Sequence, residues 1–89
     1  EESVRLNAAG LEFLYGRLGE MGIPYVPSQA NFLLVEVGDG VEVFEKLLKE
    51  GVIVRPVKGY GLPAHVRVTV GLPDENERFI EALARVLDR

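Results

Sequence analysis

A strict alternation of apolar and polar side chains runs through residues 65–71. Valine occupies every second position, and Arg67 and Thr69 stand between the valines. Because successive side chains of a strand point to opposite faces of a sheet, the pattern predicts a strand with one valine face and one polar face. The valine face has to be covered, so the pattern predicts helices packed on one side of a sheet.

Three segments have the three- and four-residue apolar spacing of amphipathic helices, over residues 2–22, 41–50 and 74–88. Gly22 is expected to end the first helix, and Asp74 is expected to be the N-cap of the third. The side chains expected on the buried faces are Val4, Leu11, Leu14, Leu18 and Met21, then Val41, Phe44, Leu47 and Leu48, then Phe79, Ile80, Leu83, Val86 and Leu87.

Two further strands are predicted over residues 31–37 and 52–55, and residues 57–63 are predicted as a loop. The element order is then α-β-α-β-β-α, which predicts an α/β two-layer sandwich with a small three-stranded mixed sheet. The first strand, second helix and second strand form a βαβ unit, so their strands are expected to be parallel. The third strand, over residues 65–71, is expected between them and antiparallel to both.

Length and composition exclude several classes of protein and site. The chain of 89 residues is expected to form a single domain over residues 1–89. It contains no Cys and one His, His65, which excludes disulfides, thiol chemistry and a His-rich metal site. A net charge of -4 disfavours nucleic acid as a partner, and no apolar run is long enough to cross a membrane. These features fit a cytoplasmic protein.

Arg67 is the sharpest candidate for a binding residue, because it stands near the middle of the polar strand face. A guanidinium there offers a planar fork to a carboxylate or phosphate, and the alternative is a surface ion pair with Glu36 or another acid. Arg55 ends the second strand and would share that face, unless it is only a solvated arginine at a strand end. Asn31 precedes the first strand, where it would at least tie down a loop.

Residues 28–35 (SQANFLLV), 51–56 (GVIVRP), 66–71 (VRVTVG) and 75–83 (ENERFIEAL) resemble the C-terminal small domain of histidinol-phosphate aminotransferases, within the fold-type I pyridoxal-phosphate enzymes. The resemblance covers essentially the whole chain. It implies that Arg67 holds the anionic group of the substrate, which is the α-carboxylate of glutamate or the phosphate of histidinol phosphate. It also implies that Arg55 assists nearby and that Asn31 lies close to the substrate.

The same resemblance implies a large domain that this sequence lacks. In the family, that domain supplies the lysine that forms the aldimine and the residues that hold pyridoxal phosphate. Lys46, Lys49 and Lys58 do not stand in a matching context, so we expect no catalytic residue and no bound cofactor in this chain alone. The intact enzyme is expected to be a homodimer that acts on a small-molecule substrate in histidine biosynthesis.

Several alternatives remain open from the sequence. Within the same family, the alternatives for the parent enzyme are an aromatic amino acid aminotransferase and a threonine-phosphate decarboxylase. Outside the family, the alternatives for the chain are a non-catalytic module similar to ACT-type regulatory domains and a plain dimerisation or structural domain. ACT-type domains begin with a strand and run β-α-β-β-α-β, whereas this chain begins with a long helix.

Overall fold

The computed structural model describes residues 2–27 and 31–88, and it has three helices and four strands in two layers. The helices are α1 (Glu2–Glu20), α2 (Gly40–Lys49) and α3 (Pro73–Leu87). The strands are β1 (Tyr25–Val26), β2 (Phe32–Glu36), β3 (Arg55–Val57) and β4 (Leu62–Thr69), and a 3₁₀ turn (Lys58–Tyr60) joins β3 to β4. The α/β two-layer sandwich predicted from the sequence is therefore confirmed.

The sheet has the strand order β1-β2-β4-β3, so β4 lies between β2 and β3. Both neighbours are antiparallel to β4, which makes β2 and β3 parallel to each other, as predicted. The predicted count of three strands is wrong, because Tyr25–Val26 adds an edge strand next to β2. The predicted mixed sheet is also wrong, since each hydrogen-bonded pair among the described strands is antiparallel. A strand of two residues is too short to show a period in the sequence.

The bounds of β3 and β4 differ from the predicted ones. The strand predicted over residues 52–55 lies at Arg55–Val57, and Pro56 falls inside it. Proline lacks a backbone N–H, but β3 is an edge strand of the sheet that the described residues form, and proline is tolerated at such an edge. The third predicted strand begins earlier, at Leu62, so residues 57–63 contain a 3₁₀ turn and the start of β4 as well as loop.

The core lies between the helix layer and one face of the sheet. The predicted buried faces of α1 and α3 are confirmed for Leu11, Leu14, Leu18, Phe79, Ile80 and Leu83, while Met21, Val86 and Leu87 are half-buried. For Val4 the structure describes the backbone and not the side chain. Within the described residues, no helix has both the length and the apolar character that crossing a membrane requires.

The buried face of α2 differs from the prediction. Val43 and Leu47 are buried, Phe44 is half-buried, and Val41 and Leu48 are exposed. The cause lies at the start of the helix, where a Cβ on Gly40 would collide with the carbonyl oxygen of His65. This close approach turns the Gly40 side of the helix towards the sheet. Val43 and Leu47 follow at helical spacing and share that face.

The turn from β4 into α3 also corrects a predicted cap. Leu72 is the N-cap of α3, whereas Asp74 lies in the first turn. Pro73 takes the first helical position, which its fixed φ suits, and the Glu75 carboxylate accepts a hydrogen bond of 2.8 Å from the Leu72 N–H. The side chain of Asn76, only 4% exposed, closes the same turn.

Candidate functional site

Arg55 and Arg67 are cross-strand partners in the β3–β4 pair. On the other side of β4, Arg67 is opposite Leu34 of β2, and Leu34 is opposite Val26 of β1. Side chains of directly opposite residues lie on the same face of a sheet, so these four residues form one row across all four strands. The expectation that Arg55 and Arg67 share a face is confirmed, and the row has a cationic half and an apolar half.

The row lies on the face of the sheet that turns away from the helices. In β4, Val66 and Val68 are buried at 0% and 4% exposure, while Arg67 and Thr69 are exposed. The alternation that predicted this strand therefore also places Arg67 outside the core. The two guanidinium groups are available for a ligand without any change in packing.

Among the described residues, no acidic side chain forms an ion pair with Arg55 or Arg67. Glu36, which the sequence offered as a surface partner for Arg67, is instead 3.9 Å from His65, measured from Oε1 to Nε2. Like charges directly opposite each other repel, and each guanidinium presents a planar fork of N–H donors. The arrangement therefore fits a carboxylate or phosphate that bridges or approaches both arginines.

Phe32 completes this surface, and the sequence did not identify it. It is opposite Thr69, two residues from Arg67 and on the same face. The Cζ atom of Arg67 lies 5.5 Å from the centroid of the Phe32 ring. A guanidinium over an aromatic face within about 6 Å is a favourable cation–π contact. The continuous apolar run of β2 does not mark the face on which Phe32 lies, so finding this contact requires the register between β2 and β4.

Asn31 does not lie beside the arginines. It forms a bend just before β2, and its carbonyl accepts a hydrogen bond of 2.7 Å from the Val70 N–H. Leu34, the β2 partner of Arg67, is three residues further on, which is about 10 Å along an extended strand. Residues 28–30, which precede Asn31 in the matching segment, lie outside the described residues. The substrate-proximal role of Asn31 stays a prediction.

His65 lies two residues from Arg67 and is largely covered. Its side chain is 17% exposed, its Nε2 faces Glu36, and its Nδ1 is buried with no hydrogen-bond partner among the described residues. Within the same described part of the chain, no group of three potential metal ligands comes together. A histidine that is this well covered fits a structural role better than a catalytic one.

The chain is similar to known proteins over nearly its whole length. The family described as aminotransferase class I and II matches residues 1–83. Histidinol-phosphate aminotransferase 2 of Pseudomonas fluorescens (strain Pf-5) is 52% identical over 89 residues, covering 99% of this chain and 24% of that protein. Histidinol-phosphate aminotransferase 1 of Idiomarina loihiensis is 51% identical over 87 residues, covering 97% of this chain and 24% of that protein. The chain thus spans about a quarter of the length of these relatives.

Solved structures show the same fold. The histidinol-phosphate aminotransferase of Clostridium acetobutylicum superposes with a TM-score of 0.86 at 28% identity, over 98% of this chain and 28% of that one. The L-threonine-O-3-phosphate decarboxylase of Porphyromonas gingivalis superposes with a TM-score of 0.79 at 27% identity, over 96% of this chain and 27% of that one. Because the family match covers most of the sequence, the chain belongs to the aminotransferase class I and II family.

Proposed function

We propose that this chain is the C-terminal small domain of a histidinol-phosphate aminotransferase and that its arginine row binds the anionic group of the substrate. The observation that carries the proposal is the direct pairing of Arg55 with Arg67, with no acid paired to either among the described residues. The curated relatives named above, at 52% and 51% identity, support the choice of this aminotransferase.

The proposed enzyme transfers an amino group from glutamate to imidazole acetol phosphate, giving 2-oxoglutarate and histidinol phosphate. The amino donor and the aminated product both carry an anionic group, the α-carboxylate in glutamate and the phosphate in histidinol phosphate. Arg67, in the middle of the sheet, serves as the two-pronged anchor for either group. Arg55, at the edge strand, adds a second positive charge, which matters more for the doubly charged phosphate.

The family implies pyridoxal phosphate in the intact enzyme, where the cofactor supplies the electron sink for amino transfer. The residues described here do not fit it. Lys46 lies on α2, in the layer behind the sheet, and pairs with Glu42 at 2.9 Å. Lys49 and Lys58 are exposed at the end of α2 and in the 3₁₀ turn. We therefore assign the cofactor contacts to the large domain and expect the chain alone to be inactive.

The proposed partners are that large domain, the small-molecule substrate and a second copy of the whole enzyme in a cytoplasmic homodimer. The sheet face itself supports the first of these partners. Phe32 and Leu34 are only half-buried, and Val26 is 48% exposed. The apolar half of the row is thus a surface that a neighbouring domain would cover while the cationic half faces a substrate between them.

A chimera tests the proposal directly. The matching quarter of the Pseudomonas fluorescens enzyme is replaced by this chain, and both half-reactions are measured, with growth of a histidine auxotroph as a second readout. We expect an active chimera, an inactive chimera with Arg67→Met, and an inactive isolated chain. A correctly folded chimera that has no activity would contradict the proposal.

The same exchange into the threonine-phosphate decarboxylase of Porphyromonas gingivalis is the matched control for substrate class. That enzyme shares the fold at 27% identity, so the fold alone does not distinguish an aminotransferase from a decarboxylase as the parent enzyme. We expect the aminotransferase chimera to be active and the decarboxylase chimera to have low activity. The reverse result would favour the decarboxylase. The ACT-type and purely structural alternatives lack support, because the chain belongs to an enzyme family.

A further inference from the structure

We propose that Phe32 is a positioning residue that holds the guanidinium of Arg67 ready for the anion, an inference that rests on the proposed function of Arg67. The Arg67 Cζ lies 5.5 Å from the Phe32 ring centroid, on the same face of the sheet. Among the described residues, no acid forms an ion pair with the Arg67 guanidinium, and Phe32 is its only cation–π partner.

The ring holds the cation without neutralising it. A carboxylate beside Arg67 would also fix its side chain, but it would occupy the N–H donors and cancel the charge that an anion needs. The face of an aromatic ring attracts the positive charge of the guanidinium without accepting its conventional hydrogen bonds. The N–H donors of Arg67 therefore stay free for a carboxylate or phosphate. Phe32 therefore reduces the side-chain freedom that binding would otherwise have to remove, and it leaves the binding groups available.

The effect is specific to one of the two arginines. Phe32 is diagonal to Arg67 across the β2–β4 pair, whereas Arg55 lies on the far side of β4. No aromatic contact to Arg55 is present within the described residues. The geometry thus makes Arg67 the fixed anchor and Arg55 the adaptable one, which suits a site that accepts anionic groups of different size.

Phe13 provides a matched control on the other layer of the protein. Its ring lies 5.7 Å from the Arg17 Cζ, and like Phe32 it is half-buried. Substituting either phenylalanine by leucine removes a similar cation–π contact and a similar apolar area. Only the substitution at Phe32 lies next to the proposed anion site.

The experiment is a titration of the ¹⁵N-labelled 89-residue chain with inorganic phosphate, followed by NMR at the Arg67 Nε–H group and the β4 amides. We expect Phe32→Leu to weaken phosphate binding by about two- to fivefold and to increase the mobility of the Arg67 Nε–H. Phe32→Trp should keep phosphate binding and the mobility of the Arg67 Nε–H close to those of the unsubstituted chain. Phe13→Leu should change neither quantity. Pentafluorophenylalanine in place of Phe32 keeps the shape of the ring but reverses its quadrupole, so it should weaken binding even if Phe32→Leu fails to fold.

Arg67→Met separates this proposal from the proposed function. If Arg67→Met abolishes binding while Phe32→Leu and the fluorinated ring leave it unchanged, Arg67 is the anchor and the positioning role of Phe32 is wrong. If Arg67→Met leaves phosphate binding intact, the anchor itself is wrong and both proposals fall. If Phe32→Leu and Phe13→Leu weaken phosphate binding equally, the loss comes from a general decrease in stability, and this result would overturn the inference.

Discussion

Arg55 and Arg67 face each other directly across β3 and β4, and no acid among the described residues forms an ion pair with either. Like charges at directly opposite positions of an antiparallel pair are destabilising. A fold selected for stability alone would place an acid or a neutral residue at one of the two positions. We therefore interpret the pair as the cost to stability of the anion site proposed above.

This cost predicts that removing one arginine stabilises the chain. We expect Arg55→Gln to raise the free energy of unfolding by about 0.5 kcal/mol at low ionic strength, because cross-strand charge pairs contribute about 0.2–1 kcal/mol. The gain should nearly vanish at about 1 M NaCl, where the Debye length is about 3 Å. Urea denaturation at two salt concentrations measures the difference.

Arg85→Gln is the control for that experiment. Arg85 donates two hydrogen bonds to one carboxylate oxygen of Glu50, at 3.0 and 2.8 Å, so losing it should lower stability slightly. Opposite signs for the two arginines at low salt are expected. If Arg55→Gln also lowers the free energy of unfolding, the two guanidinium groups do not repel each other appreciably.

The proposed anchor predicts a large kinetic effect of a small change. In the active chimera, we expect Arg67→Lys to keep the fold, since the side chain points away from the buried valines, and to reduce kcat/KM by about 30- to 1000-fold. That range corresponds to about 2–4 kcal/mol for losing a two-pronged, charge-assisted contact. Both half-reactions should be affected, because glutamate and histidinol phosphate share the anchor.

Arg55→Ala should affect the phosphorylated substrate more than glutamate, since the second arginine mainly offsets the extra charge of the phosphate. Steady-state kinetics of each half-reaction measures both variants, with circular dichroism as the test of folding. Arg85→Lys, on the helix layer, is the control and should leave kcat/KM unchanged. An unchanged kcat/KM in Arg67→Lys would remove Arg67 from the site.

The exposure of Arg67 was predictable because it follows from local alternation. Val66, Val68 and Arg67 take their faces from the pleat of one strand, and no distant contact decides them. The position of β4 between β2 and β3 was also predicted, from the strong alternation of this strand and the length of the loop before it. Family resemblance then added the assignment of the anionic ligand, which the alternation alone left undecided.

Register and close packing were not predictable from the sequence. The contact of Phe32 with Arg67 depends on which residue of β2 is opposite which residue of β4, and a shift of one residue would send Phe32 to the other face. The buried face of α2 depends on the approach of Gly40 to His65, a tertiary contact that periodicity does not encode. For the same reason, Val41 and Leu48 were assigned to the wrong side.

The two hydrogen bonds between the Asn76 side chain and the Gly71 backbone predict a large loss of stability when the side chain is truncated. Its Oδ1 accepts a hydrogen bond of 2.9 Å from the Gly71 N–H, and its Nδ2 donates one of 3.1 Å to the Gly71 carbonyl. We expect Asn76→Ala to lower the free energy of unfolding by about 2–3 kcal/mol, because two partly buried backbone groups lose their partners. Asp39→Ala, which removes an exposed N-cap from α2, should cost only about 1 kcal/mol. If urea denaturation gives equal losses in the free energy of unfolding for Asn76→Ala and Asp39→Ala, the Asn76 hydrogen bonds contribute no more to stability than an exposed helix cap.

Two glycines of α1 should respond in opposite ways to the same substitution. Gly16 has open space where a Cβ would lie, so Gly16→Ala should raise the free energy of unfolding by about 0.5–1 kcal/mol through better helix propensity. A Cβ on Gly10 would collide with Val70 Cγ1 and lie 3.0 Å from Asn76 Nδ2. Overpacking of this kind costs about 1–3 kcal/mol, so Gly10→Ala should be destabilising in spite of the same gain in propensity.

The measurement is thermal and urea denaturation of the two variants, with helix content checked by circular dichroism. Because both glycines lie in the same helix, the contribution of helix propensity cancels in the comparison, and the difference reports the contact between α1 and the turn after β4. We expect the two variants to differ by about 2 kcal/mol. If Gly10→Ala is as stable as Gly16→Ala, α1 is able to move away from Val70 and Asn76, and the close approach of α1 to the end of β4 does not restrain the strand that carries Arg67.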